Sequence, residues 1–244
     1  MRLRPPPHAR ARAYVTVRDL ASELLAAAAV RNFCFVHAAP GLRLRFEVAQ
    51  ERWACAQATI ERRLAGWQGP PRVYAPDEER LGGPRSSAHA HRLSTLDALA
   101  WLDFHLLAAP CRGWLFALAV QRQLFPCLGV TDGQERRVWA RLWDRTRSVG
   151  SGPASATVRR LWADPAHLRA ALPGPAGTLV DAWAPQLAAA GRAWHDGHLG
   201  RRAAAVGPCE GAVHVTLLSW NRGRVHPVTR ARVASALALA QECP

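Results

Sequence analysis

From Leu42 to Glu47 apolar and charged residues alternate, with Leu42, Leu44 and Phe46 on one side and Arg43, Arg45 and Glu47 on the other. A period of two predicts a strand whose arginines lie on the face opposite the apolar one. Asn32 to Ala38 is a second β-rich run, and Ala39-Pro40-Gly41 between the two predicts a hairpin or a strand connection. Ahead of them, Ala13-Tyr14-Val15-Thr16-Val17 predicts a strand, and Asp19 a cap for a helix reaching Val30.

The pattern then changes. Trp53 to Leu64 predicts a helix and Arg72 to Tyr74 a short strand; Ser87 to Leu107 reads as helical, with Ser86 or Ser87 as its cap. Pro110-Cys111-Arg112-Gly113 breaks that helix, a second runs to about Leu124, and Gln134 to Arg147 carries Val138, Trp139 and Leu142 on one stripe. Further helical segments are expected at 155–163, 166–172, 178–195 and 213–220, and Ser148 to Pro153 reads as a linker. Strands first and helices later predict an α+β chain: a single compact domain, β-rich at its N-terminal end and mostly helical after that. Residues 1–12, rich in Pro and Arg, are expected as a flexible arm, with the domain spanning 13–244.

Composition narrows the partners. The 244 residues carry 32 basic against 18 acidic side chains, a formal charge of +14, and every basic residue is Arg. An excess spread over both halves predicts a negatively charged partner: nucleic acid, an acidic peptide or a phosphorylated ligand. No RNP, KH or zinc-finger pattern supports nucleic acid. The six Cys show no C-x-x-C spacing, no signal-peptide pattern leads the chain, and its apolar runs are far shorter than a membrane span. These features predict free thiols, a cytoplasmic protein and no membrane partner.

Residues Arg72 to Asp97 carry the densest chemistry. Tyr74 and Pro76 precede the acids Asp77, Glu78 and Glu79; Arg80 and the pair Gly82-Gly83 follow, and the glycines allow positive φ or close approach to a ligand. A carboxylate, a guanidinium and hydroxyls delivered into a helix start suit a substrate-positioning site, and equally a surface turn. Elsewhere, His195-Asp196-Gly197-His198 lacks a third ligand at metal spacing, and Gly150-Ser151-Gly152 lacks the continuation of a dinucleotide loop, so neither metal nor organic cofactor is expected.

The pattern Y-x-P-[DE]-x-x-R-x-G-G, from Tyr74 to Gly83, resembles the C-terminal elimination domain of lantibiotic dehydratases and the related thiopeptide-type bacteriocin biosynthesis proteins. Pro40-Gly41-Leu42-Arg43-Leu44-Arg45-Phe46 is similar to that family's P-x-H-L-R-L-R-F strand, with Gly41 in the His position. Leu217-Leu218-Ser219-Trp220-Asn221-Arg222 is similar to its H-M-x-x-N-R helix, with Leu217 in the His position. By this resemblance Arg43, Arg45, Asp77, Asp97, Ser219, Asn221 and Arg222 are expected to bind substrate, and Tyr74, Arg80, Ser86, Ser87 and His214 to act in catalysis. Asp97 is expected to contact Arg80 or a backbone amide, and His214 is an imidazole beside the helix motif.

Elimination domains remove glutamate from glutamylated Ser or Thr, and loss of both histidines argues against that activity here. The resemblance therefore implies one of the short stand-alone relatives, which close a pyridine by formal [4+2] aza-cycloaddition of two dehydroalanines and release water and the leader peptide. The implied partners are an acidic leader, a dehydrated azole-containing core peptide, and other enzymes of such a pathway. A glutamate-elimination subunit, a leader-binding module without catalysis and an RNA-binding protein are the alternatives.

Overall fold

The computed structural model describes residues 1–67, 69, 78–108, 111–147 and 156–239. Its strands are β1 (Arg2–Leu3), β2 (Val30–Ala38) and β3 (Gly41–Val48), in the order β1-β3-β2 and antiparallel throughout. The alternation read in the sequence holds: Leu42 and Leu44 are buried, while Arg43 and Arg45 are half-buried on the other face. Register pairs Leu42 with His37, Leu44 with Phe35 and Phe46 with Phe33, so these side chains share the face turned to the helices. The turn from β2 to β3 contains a cis Ala39–Pro40 peptide.

Residues 1–12 begin in this sheet. The Met1 amino group donates to the Leu44 carbonyl at 3.0 Å, and Leu3 is buried. On the outer side of β1, Arg4 N donates to Trp67 O and Gly69 N donates to Arg2 O, each at 2.9 Å. Gly41 makes this approach possible, because a Cβ there would stand 2.0 Å from the Leu3 carbonyl oxygen.

The strand expected at 13–17 is instead part of α1 (Arg10–Ala26). Ala13, Tyr14, Val17, Leu20, Ala21 and Leu24 are its buried residues, a stripe at helical spacing, whereas Val15 is 43% exposed. Burial of one continuous stripe outweighs the β preference of five residues. The helices that follow are α2 (Trp53–Arg63), α3 (Pro84–His105), α4 (Gly113–Cys127), α5 (Asp132–Thr146), α6 (Ala156–Ala163), α7 (Pro165–Ala170), α8 (Gly174–Trp194), α9 (Pro208–Arg222) and α10 (Pro227–Ala238). Except for α10, each overlaps a helical segment expected from the sequence. The expected strand at 72–74 and linker at 148–153 lie outside the described residues.

α3 starts three residues earlier than expected, and neither serine caps it. Gly83 occupies the cap position, Pro84 the first turn, and Ser86 and Ser87 are buried within the helix. α3 packs on β2, α1, α8 and α9 and so forms the spine of the molecule. Asp103 ties three helices together, accepting from Arg18 Nε on α1 at 2.6 Å and from Trp183 Nε1 on α8 at 2.9 Å. Indoles fill the helical half: Trp139 meets Trp162 edge to face at 4.9 Å, with Phe125 against both. α+β, with the sheet at the N-terminal end and the helices after it, is thus the observed architecture.

Candidate functional site

β2 ends the sheet, so among the described residues no strand lies along its outer edge. Buried backbone groups left unpaired there would each cost roughly 1–3 kcal/mol. Side chains from α3 and α9 stand in for the missing strand. Phe33 N donates to Thr95 Oγ1 at 3.0 Å, and Phe35 O accepts from Arg222 Nε at 3.0 Å. His37 N donates to Asn221 Oδ1 at 2.7 Å, and His37 O accepts from Asn221 Nδ2 at 3.1 Å. Asn221 and Arg222, expected as substrate-binding residues, here hold the strand edge.

Arg222 is 1% exposed and its partners surround it. Nη1 pairs with Asp97 and Nη2 donates to Ser94 Oγ. Asp97 is also buried, and the partner expected for it, Arg80 or an amide, is replaced by Arg222. Burial pushes the Asp97 pKa upward, opposed by the Arg222 charge and by hydrogen bonds from Arg222, Ser219 and Trp101. Ser219 also accepts from Trp101 Nε1 at 2.9 Å, and Ser86 from Trp194 Nε1 at 2.9 Å, so both hydroxyls serve buried indoles. Ser87 Oγ is buried with no hydrogen-bond partner.

Two clusters flank this core of polar contacts, one at His214 and the other at the Arg222 carbonyl, eight positions further along α9. The first gathers His214 with Arg80, which lies in a short helical turn, Glu79–Leu81, ahead of Gly82 and Gly83, both at positive φ. Burial first, then the charges of Arg222, Arg80, His91 and Arg145, depress the His214 pKa to about 4. His91 on α3 stands 3.6 Å from the Glu47 carboxylate. The charge of Arg80, in the loop motif, thus reaches His214, beside the helix motif, and Leu217 lies half-buried one turn after His214. Arg43 and Arg45 lie on the outer face of β3, where their charges reach the Met1 amino group. Tyr74 and Asp77 are outside the described residues.

The second cluster was not anticipated. His37 Nε2 and His105 Nε2 approach the Arg222 carbonyl at 3.1 and 2.7 Å, and Tyr14 stacks on His105 with ring centres 4.3 Å apart. Burial depresses His37 to about 3 and His105 to about 4, and it raises Tyr14 against the pull of Arg224 and Arg10. Of these residues Tyr14, His37, Arg10 and Arg224 border a cleft of roughly 290 Å³ at the hairpin end. The cluster as a whole draws on α1, β2, α3 and the turn after α9, with no short spacing to mark it. The signal available was weak: His37 lies two residues before the strand connection.

Among the described residues no three His, Cys, Asp or Glu groups are placed to hold a metal ion. His195 to His198 fall in one π-helical turn, in which His195 Nδ1 is 3.0 Å from Asp196 Oδ1. The described cysteines, 34, 55, 111, 127 and 209, are unpaired. No described helix is long and apolar enough to cross a membrane.

No protein-family profile matches the chain, and no curated protein sequence matches it. Among solved structures it is similar to the tRNA-dependent lantibiotic dehydratase MibB from Microbispora sp. 107891, at 18% identity and a TM-score of 0.64. The likeness covers 96% of this chain and 27% of that one. The chain therefore has a lantibiotic dehydratase-related fold. It spans about a quarter of the length of the dehydratase that it matches.

Proposed function

We propose that this protein acts on a modified precursor peptide as a pyridine-forming macrocyclase of the thiopeptide type, joining two dehydroalanines by formal [4+2] aza-cycloaddition. The observation that carries this reading is the pair of positions where dehydratase elimination domains have histidine. Leu217 fills one, and at the other Gly41 lies against the Leu3 carbonyl, leaving no room for any side chain. The nearby imidazole, His214, is a weak base, since its conjugate acid is held at about 4. Abstraction of an α-proton calls for a base matched to the working pH, whereas a cycloaddition between two activated alkenes calls chiefly for proximity and polarisation.

In this reading Arg80 donates to the amide oxygen of the reacting iminol, and neutral His214 orients that amide or a leaving group by hydrogen bonding. Tyr74, Asp77, Arg43 and Arg45 contribute to the substrate cradle. Ser86, Ser87, Ser219, Asn221, Arg222 and Asp97 support the site from behind. Ring closure forms the six-membered azacycle, and loss of water and of the leader amide then makes it aromatic. The leader is acidic, and the net charge of +14 gives it a complementary surface.

The test is mass spectrometry on a bis-dehydroalanine, azole-containing peptide bearing its leader. The expected product is lighter by water plus leader, accompanied by free leader amide. Unchanged peptide overturns the proposal, and conversion of a glutamylated peptide to dehydroalanine assigns the protein to elimination instead.

A further inference from the structure

We infer that the cleft between α1, the β2–β3 turn and the turn after α9 is a binding site for a carboxylate. Two guanidiniums, Arg10 and Arg224, line it together with Tyr14, His37, Gly41 and Leu42. Neither Arg10 nor Arg224 forms an ion pair among the described residues, so no internal carboxylate neutralises either charge. Such a pair, at the mouth of a walled cleft, attracts an anion far more strongly than the same charges scattered on a convex surface.

The proton positions set the rest of the chemistry. A carbonyl only accepts, so His37 and His105, which both approach the Arg222 oxygen through Nε2, carry their protons there. The Tyr14 hydroxyl lies 3.5 Å from that same Nε2 of His37. Because this nitrogen is already protonated, Tyr14 cannot donate to it, and the phenol proton is left for a ligand. Burial raises the Tyr14 pKa, which keeps the proton in place. Arg224 also donates to the Tyr14 oxygen, which accepts and keeps its own proton. The cleft thus offers the Arg10 fork, the rest of the Arg224 fork and one phenol as donors, and an apolar wall at Leu42.

Those features fit a carboxylate on an aliphatic stem better than a phosphate. A carboxylate uses two oxygens and leaves its carbons for the Leu42 wall, whereas a phosphate has oxygens on every side and needs donors all round. The carboxylate could belong to an acidic side chain or to a chain terminus. The cleft lining contains neither Arg80 nor His214, so carboxylate binding here does not rest on the reaction proposed above.

The experiment uses the full chain and follows the His37 and His105 ring signals by NMR while probes are titrated. N-acetylglutamate α-amide stands for an acidic side chain, N-acetylglycine for a terminus, and N-acetylglutamine amide and inorganic phosphate are the controls. One or both carboxylates should shift the rings saturably, and the one that binds more tightly identifies the source. Arg224→Gln and Arg10→Gln should each weaken binding about tenfold, the scale of one lost charge-assisted bond. Arg136→Gln, at an exposed position of α5, should leave it unchanged. Should the Arg224 variant misfold, Arg10→Gln alone decides. Glutamine amide binding as tightly as glutamate amide, phosphate competing at equal or lower concentration, an equal loss from Arg136→Gln, or unmoved rings would each overturn the assignment.

Discussion

His37 and His105 share one acceptor. Their Nε2 atoms lie 3.1 and 2.7 Å from the carbonyl oxygen of Arg222, and their rings meet edge to face with centres 5.6 Å apart. Arg222 therefore links the strand and α3 twice, through its guanidinium to Phe35 and Asp97 and through its carbonyl to both imidazoles.

Acid should loosen this junction. An imidazole titrates near 6.5 when unfolded, whereas burial holds His37 at about 3 and His105 and His214 at about 4. Below 6.5 the unfolded chain takes up protons that the folded chain refuses, so stability falls with pH until the folded values are reached. Stability should therefore fall steadily across that window. Denaturation measured at several pH values checks this, with His105→Gln expected to flatten the slope. A slope untouched by that variant would assign the acid lability to other groups.

Asn221→Ala removes both bonds to the His37 backbone. It should cost about 1–3 kcal/mol, because an amide and a carbonyl are left without partners. Hydrogen exchange at the His37 amide should accelerate sharply while Phe33, held by Thr95, stays protected. Uniform acceleration along β2 would mean that the edge opens as one unit.

Gly41→His restores the residue of the resembled strand motif and should not restore a lyase. The new Cβ meets the Leu3 carbonyl at 2.0 Å, so β1 must leave β3. The expected result is destabilisation of about 1–3 kcal/mol, typical of overpacking, and no elimination from a glutamylated peptide. Elimination by this variant would show that a single imidazole separates the two activities.

Arg80→Ala should reduce kcat far more than leader affinity. A donor that meets charge developing in the transition state is worth roughly 2.7–4 kcal/mol, while docking charges act alike in both states. Leader affinity itself should fall with added salt, since screening shortens to about 3 Å at 1 M. Equal losses in kcat and affinity would make Arg80 a docking residue.

The hairpin was legible because alternation at Leu42, Leu44 and Phe46 is a local signal, and α3 and α5 because each buries a stripe. Tyr14 misled, since its neighbours favour a strand and the helical stripe becomes visible only when extended to Leu24. Asn221 and Arg222 stood out as a motif, but their role depends on which strand edge they meet, and a linear pattern does not contain that. Tyr14, His37, His105 and Arg224 come from four separate segments, and a fold is needed to bring them together.

Two stretches of sheet edge are taken, by Trp67 and Gly69 beside β1 and by Thr95, Asn221 and Arg222 beside β2. Proteins that capture extended peptides often do so by letting the guest add itself as another strand, and exposed edges also seed self-association. Neither route is open on these stretches. A peptide guest that docks beside them must be recognised by what its side chains carry, so replacing its acidic residues should abolish capture where N-methylation of its backbone should not.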